Sequence, residues 1–242
     1  MIAAIARDHP VAAVIYEHQP RLAIWRTLRF RAKRLGLWTV LGQLALVAYD
    51  RVVLRGRSRP VIAMALGPFG TMPEDVPIHS VRSVNSPEAV ELLRHYQPEV
   101  CVVTGTSIIR ERTLGAAPIF LNIHCGLTPA YRGVHGGFWA IEQGDFRHVG
   151  VTVHVVDSGI DTGGIVHQGD VMFDRAFETH RTLVAKQYAV GIPLMSRAVG
   201  EVLASRLQVR HHPTDVPSKQ WFSPTLWDFV RFWRRLRDVS SN

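Results

Sequence analysis

Residues 120–137 read FLNIHCGLTPAYRGVHGG. A run of apolar residues carrying an amide and an imidazole passes directly into a loop of glycines, Pro129, Tyr131, Arg132 and His135. In a strand, residues two apart project to the same face, so Asn122 and His124 point together at its carboxyl end. Neither residue type helps a buried strand to fold, because each carries polar groups that must find partners away from water. The pair is therefore read as serving a common target just beyond the strand.

Working outward, strands alternate with helices. Residues 11–17, VAAVIYE, read as a strand, 77–84 as a short one, and 85–97 as a helix with Asn85 or Ser86 as N-cap and Pro87 in the first turn. Residues 98–107 carry a Val-rich run expected to be buried on both faces and to end in a functional loop at Gly105 and Thr106. The stretch 117–126 repeats that design; 136–145 reads as helix, 148–157 as an alternating strand and 179–207 as a long helix. The pattern implies an α/β fold, a Rossmann-like, mostly parallel sheet with helices on both faces. In such folds ligands bind beyond the carboxyl ends of the strands.

At 242 residues the chain suits one α/β domain with a small appendage, and 47% hydrophobic against 20% charged residues describes a globular protein. The expected division is a catalytic domain over 1–207 and an extension over 208–242 whose amphipathic helix, with Leu226, Phe229, Phe232 and Trp233 at helical intervals, packs back on the domain or on a second subunit as a homodimer. Two cysteines, Cys101 and Cys125, with no metal-type pairing, fit a reducing cytoplasm. The apolar stretch 35–49 is too short to be read as a membrane span and is interrupted by Gln43.

The net charge of +8 is local. Residues 21–59 hold Arg21, Arg26, Arg29, Arg31, Lys33, Arg34, Arg51, Arg55, Arg57 and Arg59 against one acid, Asp50. Leu22, Trp25, Leu28, Phe30 and Leu35 fall among the first of these in a rough helical pattern, read as a solvated helix whose apolar side covers the core. A site for phosphates, acidic lipids or a membrane surface is the lesser alternative.

Asp157 and Asp161 follow the strand 148–157 in a glycine-rich turn that includes Ser158, Gly159 and Ile160. Singly, such an Asp forms turns and such a His is a hydrogen-bonded core residue. Together, an imidazole, a carboxylate and an amide suit attack on a carbonyl carbon, where an oxyanion develops and a proton must leave the nucleophile. The twelve histidines follow no zinc-site spacing, and no metal is expected.

The order Asn-x-His, then a Pro and aromatic-Arg-Gly loop, then Asp in a D-x-G-x-D turn, resembles the formyltransferase family that uses 10-formyltetrahydrofolate, which includes methionyl-tRNA formyltransferase, glycinamide ribonucleotide transformylase and sugar N-formyltransferases. Here these are NIHCGLTPAYRG and DSGIDTGG, with Asp161 placed 37 positions after His124. Gly126 and Thr128 depart from the family's usual Ser-Leu-Leu-Pro wording. The resemblance implies a formyltransferase fold, catalytic roles for Asn122, His124 and Asp161, and a folate co-substrate held largely by main-chain groups of Gly105, Thr106, Ser107, Ile108 and Ile109 and of the turn Asp157, Ser158, Gly159 and Ile160. It leaves His154 evenly divided between a structural and a functional role, and makes Tyr131, Arg132 and His135 the expected contacts to the acceptor.

The acceptor implied is the primary amine of a small molecule, with a nucleotide-linked amino sugar ahead of an amino acid or a secondary-metabolite amine. Nucleic acid is not expected, since about 35 residues follow the long helix where methionyl-tRNA formyltransferase continues into a further domain. A non-catalytic, binding-only descendant is the competing reading. The family's first strand has no counterpart, because MIAAIARDHP reads as helix and leads into what matches the second strand. A chain extended upstream is expected to melt higher.

Overall fold

The computed structural model describes residues 1–18, 22–71 and 73–238. The chain opens with α1 (Ile2–Asp8), then β1 (Val14–Glu17), α2 (Leu22–Leu35) and α3 (Leu37–Tyr49). A π-helical turn at Asp50–Leu54 continues without a break into α4 (Arg55–Leu66). There follow β2 (Ile78–Val81), α5 (Pro87–Tyr96), β3 (Cys101–Val103), α6 (Glu111–Leu114), β4 (Phe120–His124), β5 (Arg132–Gly133), α7 (Gly136–Glu142), β6 (Gly150–Val155) and β7 (Ile165–Asp170). The long α8 (His180–Leu203), β8 (Gln220–Trp221) and α9 (Leu226–Asp238) close the chain.

The expected cap forms, the Ser86 hydroxyl accepting from Ala89 N–H at the start of α5; at the start of α8, Thr179 and Thr182 make a reciprocal capping box that the sequence reading did not mark. The α/β class holds, with β1–β2, β3–β4 and β5–β8 parallel, while β6 and β7 run antiparallel to their neighbours. The principal sheet has the order β3-β4-β6-β7, and β1-β2 form a separate pair. No strand among the described residues joins that pair to β3. This corrects one expectation: all three residues of β3 are only partly buried, because it is an edge strand rather than a central one.

Period two organises the principal sheet. Leu121 and Ile123 of β4 and Val151 and Val153 of β6 are buried in one core cluster with Leu183, Ile192 and Met195 of α8. Gly191 of α8 lets the helix settle there, since a Cβ would stand 2.9 Å from both Ile123 and Val151. Phe120, of the opposite parity, belongs to a second cluster with Val84, Leu93 and Ile109 on the other face. Burying each large aliphatic side chain contributes roughly 1.5–3 kcal/mol, so the sheet is held by its odd-numbered positions and Asn122, His124, Thr152 and His154 are free to face elsewhere.

The segment after 207 is built into the same core. Phe229, Phe232 and Leu236 of α9 are buried with Phe138 of α7, the Phe138 and Phe232 rings stacking at 4.6 Å. β8 pairs with β5, and Arg210 exchanges main-chain hydrogen bonds with Ile165.

Candidate active site

β4 and β6 pair in antiparallel register with Asn122 opposite His154 and His124 opposite Thr152. All four side chains share a sheet face, and the Asn122 amide nitrogen lies 3.2 Å from His154 Nε2 while His154 Nδ1 donates to the Val155 carbonyl at 2.8 Å. The turn after β6 then returns Asp161 over this face. Its Oδ2 lies 3.2 Å from His124 Nδ1, its Oδ1 3.4 Å from His154 Nε2, and Oδ2 also accepts the Gly133 N–H at 2.8 Å.

Asp161 reaches this position in a left-handed conformation, φ 50°, which Asp tolerates better than most residues. The turn that imposes it is closed by Asp157, whose Oδ1 accepts Gly159 N–H and the Thr162 hydroxyl. Asp157 is thus a brace, while Ser158 and Gly159 are exposed at the turn's tip.

His124 is only 4% exposed, and both ring nitrogens face acceptors: Nε2 donates to the Tyr131 carbonyl at 2.6 Å, and Nδ1 faces Asp161. A neutral ring donates from one nitrogen only, so these contacts are fully satisfied by the protonated ring. Burial works against that and holds the His124 pKa below the ordinary histidine value, with the Asp161 charge and the Tyr131 carbonyl pushing back. The Asp161 carboxyl is pushed up by burial but ends below its ordinary value, because His154, His124 and the Gly133 N–H together favour the carboxylate. The site therefore holds an ionised carboxylate against an imidazole that readily gives up a proton.

The loop between β4 and α7 exists to make this contact. A Cβ on Gly126 would stand 2.4 Å from the Tyr131 carbonyl oxygen and 2.7 Å from His124 Nε2, so only glycine lets the loop fold over the imidazole. The departure at Gly126 is thus a feature of the hydrogen bond itself. Thr128, the second departure, donates its N–H to Thr152 and accepts from Gln168, tying the loop to β6 and β7.

The residues expected to meet the acceptor lie in varied settings. The Tyr131 side chain is buried, its hydroxyl donating to Asp145 at 2.8 Å, and it is the carbonyl that serves the site. Arg132 donates to the Ile160 carbonyl at 2.9 Å and to Ser218 at 2.8 Å, clamping the Asp161 turn to the C-terminal segment. His135 caps α7 with φ 59° and stands edge-on to His180 at 5.6 Å; burial is the larger cause that lowers its pKa to about 4.

The loop after β3 keeps its main chain accessible. Gly105 and Ile108 are exposed, Ile109 is buried, and the N–H groups of Gly105, Thr106 and Ile108 donate to no group among the described residues. Ser107 is different: its N–H and hydroxyl both donate to Glu17 at 2.7 Å. Glu17, at the end of β1, thereby anchors this loop, and sequence reading missed it because a carboxylate ending a strand carries no pattern of its own. His154 was visible as a histidine in an alternating strand, but only strand register sets it opposite Asn122.

Both thiols are disfavoured as thiolates. Burial pushes the Cys101 thiol up to about 12, and burial with the nearby Asp161 charge does the same to Cys125.

The fold is an α/β sheet that brings Asn122 and His124 at the end of β4 together with Asp161 from the turn after β6. The profile of the formyl transferase family matches residues 48–199, and the chain belongs to that family. It is 28% identical over 199 residues to a methionyl-tRNA formyltransferase of Myxococcus xanthus, covering 81% of this chain and 63% of that protein. It is 36% identical over 118 residues to the methionyl-tRNA formyltransferase of Desulfotalea psychrophila, covering 48% of this chain and 36% of that one. The chain thus spans less than two thirds of the length of either relative. A sugar N-formyltransferase from a Shewanella species shares the fold, with TM-score 0.51 over 65% of this chain and 67% of that one at 19% identity.

Proposed function

We propose that this protein transfers a formyl group from 10-formyltetrahydrofolate to the primary amine of a small molecule, a nucleotide-linked amino sugar by first choice, in the cytoplasm. The observation that carries the reading is the convergence of Asn122, His124 and Asp161, with the Asp161 carboxylate 3.2 Å from His124 Nδ1. The donor fits the two loops flanking Asn122, 105–109 and 157–161, where exposed backbone offers hydrogen bonds to a heterocycle. Tyr131, through its carbonyl, Arg132 and His135 border the acceptor side.

The amine nitrogen adds to the formyl carbon, and the carbonyl electron pair moves to oxygen. The second N–H of the Asn122 amide and the His124 proton stabilise that oxygen. Asp161, held ionised, receives the amine proton directly or through water. Breaking the bond from carbon to the donor nitrogen completes the transfer, that nitrogen taking up a proton while the product amide forms. His124 must exchange its Tyr131 carbonyl contact for the oxyanion, a small rotation of a ring whose proton burial already loosens.

Titration with 5-formyltetrahydrofolate, an unreactive isomer of the donor, tests the donor without knowledge of the acceptor. Saturable binding is expected. Absence of binding by folded protein would overturn the reading in favour of a non-catalytic formyltransferase-like binding protein. A panel of nucleotide-linked amino sugars, amino acids and initiator methionyl-tRNA, assayed with 10-formyltetrahydrofolate, then identifies the acceptor; formylation of the tRNA alone would refute the small-molecule choice.

A further inference from the structure

The helical insertion between β1 and β2 leaves its apolar surface uncovered. α3, the π turn, α4 and a closing 3-10 turn form one continuous helix, Leu37–Phe69, which by length and composition alone is long enough to cross a membrane and so exceeds the short stretch 35–49 read from the sequence. One face of its first half is packed: Val40, Gln43, Leu46, Asp50 and Leu54 are buried, Gln43 donates to the Ser223 carbonyl, and Gly42 lies so close to Trp227 that a Cβ would stand 2.7 Å from its indole. The opposite face carries Leu37 (70% exposed), Trp38 (79%), Leu41, Leu44 and Val52 (85%), spaced as a single helical stripe. A helix apolar on both faces is ordinarily buried on both.

The rim of the stripe has one sign. α2 ends at Leu35 and Gly36, with a φ of 87°, turns the chain directly into α3; Arg29, Phe30, Lys33 and Arg34 at the end of α2 are exposed, as are Leu37 and Trp38 at the start of α3. Arg51, Arg55, Arg57 and Arg59 are exposed further along. Arg34 and Arg57 rest on the rings of Phe222 and Phe177, and none of the eight cations in 29–59 meets a carboxylate among the described residues. The segment's single acid is turned inward, Asp50 accepting from Arg181 at 3.0 Å. Arg21, and the side chains of Leu22, Trp25, Arg26 and Leu28, lie outside the described residues. The sequence reading of an apolar side covering the core belongs to α2, where Phe30 is exposed and Leu35 half-buried.

We infer that the α2–α3 hairpin and the start of α4 form a docking surface for an anionic lipid bilayer, the stripe from Leu37 to Val52 entering the headgroup boundary and the surrounding arginines and lysine meeting lipid phosphates. Charge complementarity selects this occupant. A second copy seated on the same stripe would bring two cationic rims together, which is repulsive. A spanning arrangement of the apolar part would strip α3 from α9 and take the Asp50–Arg181 ion pair and Arg51 into the bilayer, so the helix lies on the surface.

Sedimentation of the full chain with vesicles of phosphatidylcholine alone, and of phosphatidylcholine with phosphatidylglycerol, tests the inference. Binding to the anionic vesicles at low ionic strength, weakened by salt, and little binding to the neutral ones are expected. Leu37→Ser with Leu41→Ser should weaken partition about tenfold. Arg29→Glu with Lys33→Glu should weaken it further, at about fivefold or more per charge, and provides an independent variant of wholly exposed residues. Failure to bind anionic vesicles at low salt would overturn the inference, as would undiminished binding by both variants with unchanged melting. A dimer in analytical ultracentrifugation that Leu41→Ser dissociates would also overturn it, assigning the stripe to a second copy.

Discussion

The active-site face of the sheet and the helical insertion use opposite means to the same end of holding polar groups in place. Around Asn122 nearly every polar atom is matched inside the protein: Asn122 to His154, His154 to the Val155 carbonyl, His124 to Tyr131 and Asp161, Asp161 to Gly133. Along residues 29–59 the cations meet no carboxylate among the described residues, Asp50 alone turns inward, and only one face of the apolar helix is used. Orientation for chemistry comes from many short contacts across strands, whereas a surface meant for a diffuse, charged partner needs only composition and a helical stripe. That contrast predicts where substitutions will be felt.

The largest effect belongs to the site. Asp161→Asn and His124→Ala should each lower turnover by ~10²–10³ while far-ultraviolet circular dichroism stays unchanged, because each removes a group that acts on the developing charge. Substitution of Trp38, which lies outside the site, should leave turnover on a soluble acceptor unaltered; a comparable loss there would break the comparison.

Packing on the two faces of α3 comes next. Leu46→Ala, on the face buried against α9, should cost ~3 kcal/mol in denaturant unfolding. Leu41→Ala, on the exposed face, should stay within ~0.5 kcal/mol. Equal losses would show that something covers the stripe in solution.

The pH dependence sharpens the electrostatic side. His135 has a pKa lowered from 6.5 to about 4 in the folded chain, so the unfolded chain binds its proton first. Unfolding then takes up a proton, and stability falls as pH drops from about 6.5 to about 4, by no more than ~3 kcal/mol. Below that window both states are protonated at this ring and its contribution is gone. Thermal melts of His135→Phe across the same range should show a flatter profile. The carboxyl of Asp161, also lowered in the folded chain, has the same proton balance and the same consequence: its stabilisation is present above the ordinary carboxylate range and lost as pH falls through its folded pKa.

The smallest pair concerns glycines. Gly126→Ala must displace the Tyr131 carbonyl and should cost ~1–2 kcal/mol together with most of the turnover. Gly56→Ala, in α4 with nothing within 4 Å of its Cβ, should stabilise by ~0.5–1 kcal/mol through helix propensity. Equilibrium unfolding of the two variants gives the signs directly.

Much of this was legible from local pattern. Ser86 before Pro87 is a cap whose chemistry is contained within three or four residues, and it forms. The alternation in 148–157 marks β6, and Asn122 and His124 share a face because a strand has period two. Illegible were β7, whose IVHQGD lacks a strand's apolar regularity, and the edge position of β3, since a Val-rich run reads alike at the centre or the edge of a sheet. Asp157 and Asp161 are told apart in sequence only by the family resemblance, not by local pattern; the fold makes one a brace and sets the other against His124.

By itself, then, the sequence determined which residue types stand at the ends of which strands, the helix boundaries marked by caps, and the concentration of cations in 21–59, because each of these is set by neighbours within a turn or two of chain. Tertiary structure alone decided that His154 faces Asn122, that the Tyr131 carbonyl rather than its hydroxyl meets the imidazole, and that one side of α3 is left bare. Those are consequences of strand register and of which helix faces find partners, and register and partnership are contacts between segments far apart in the chain.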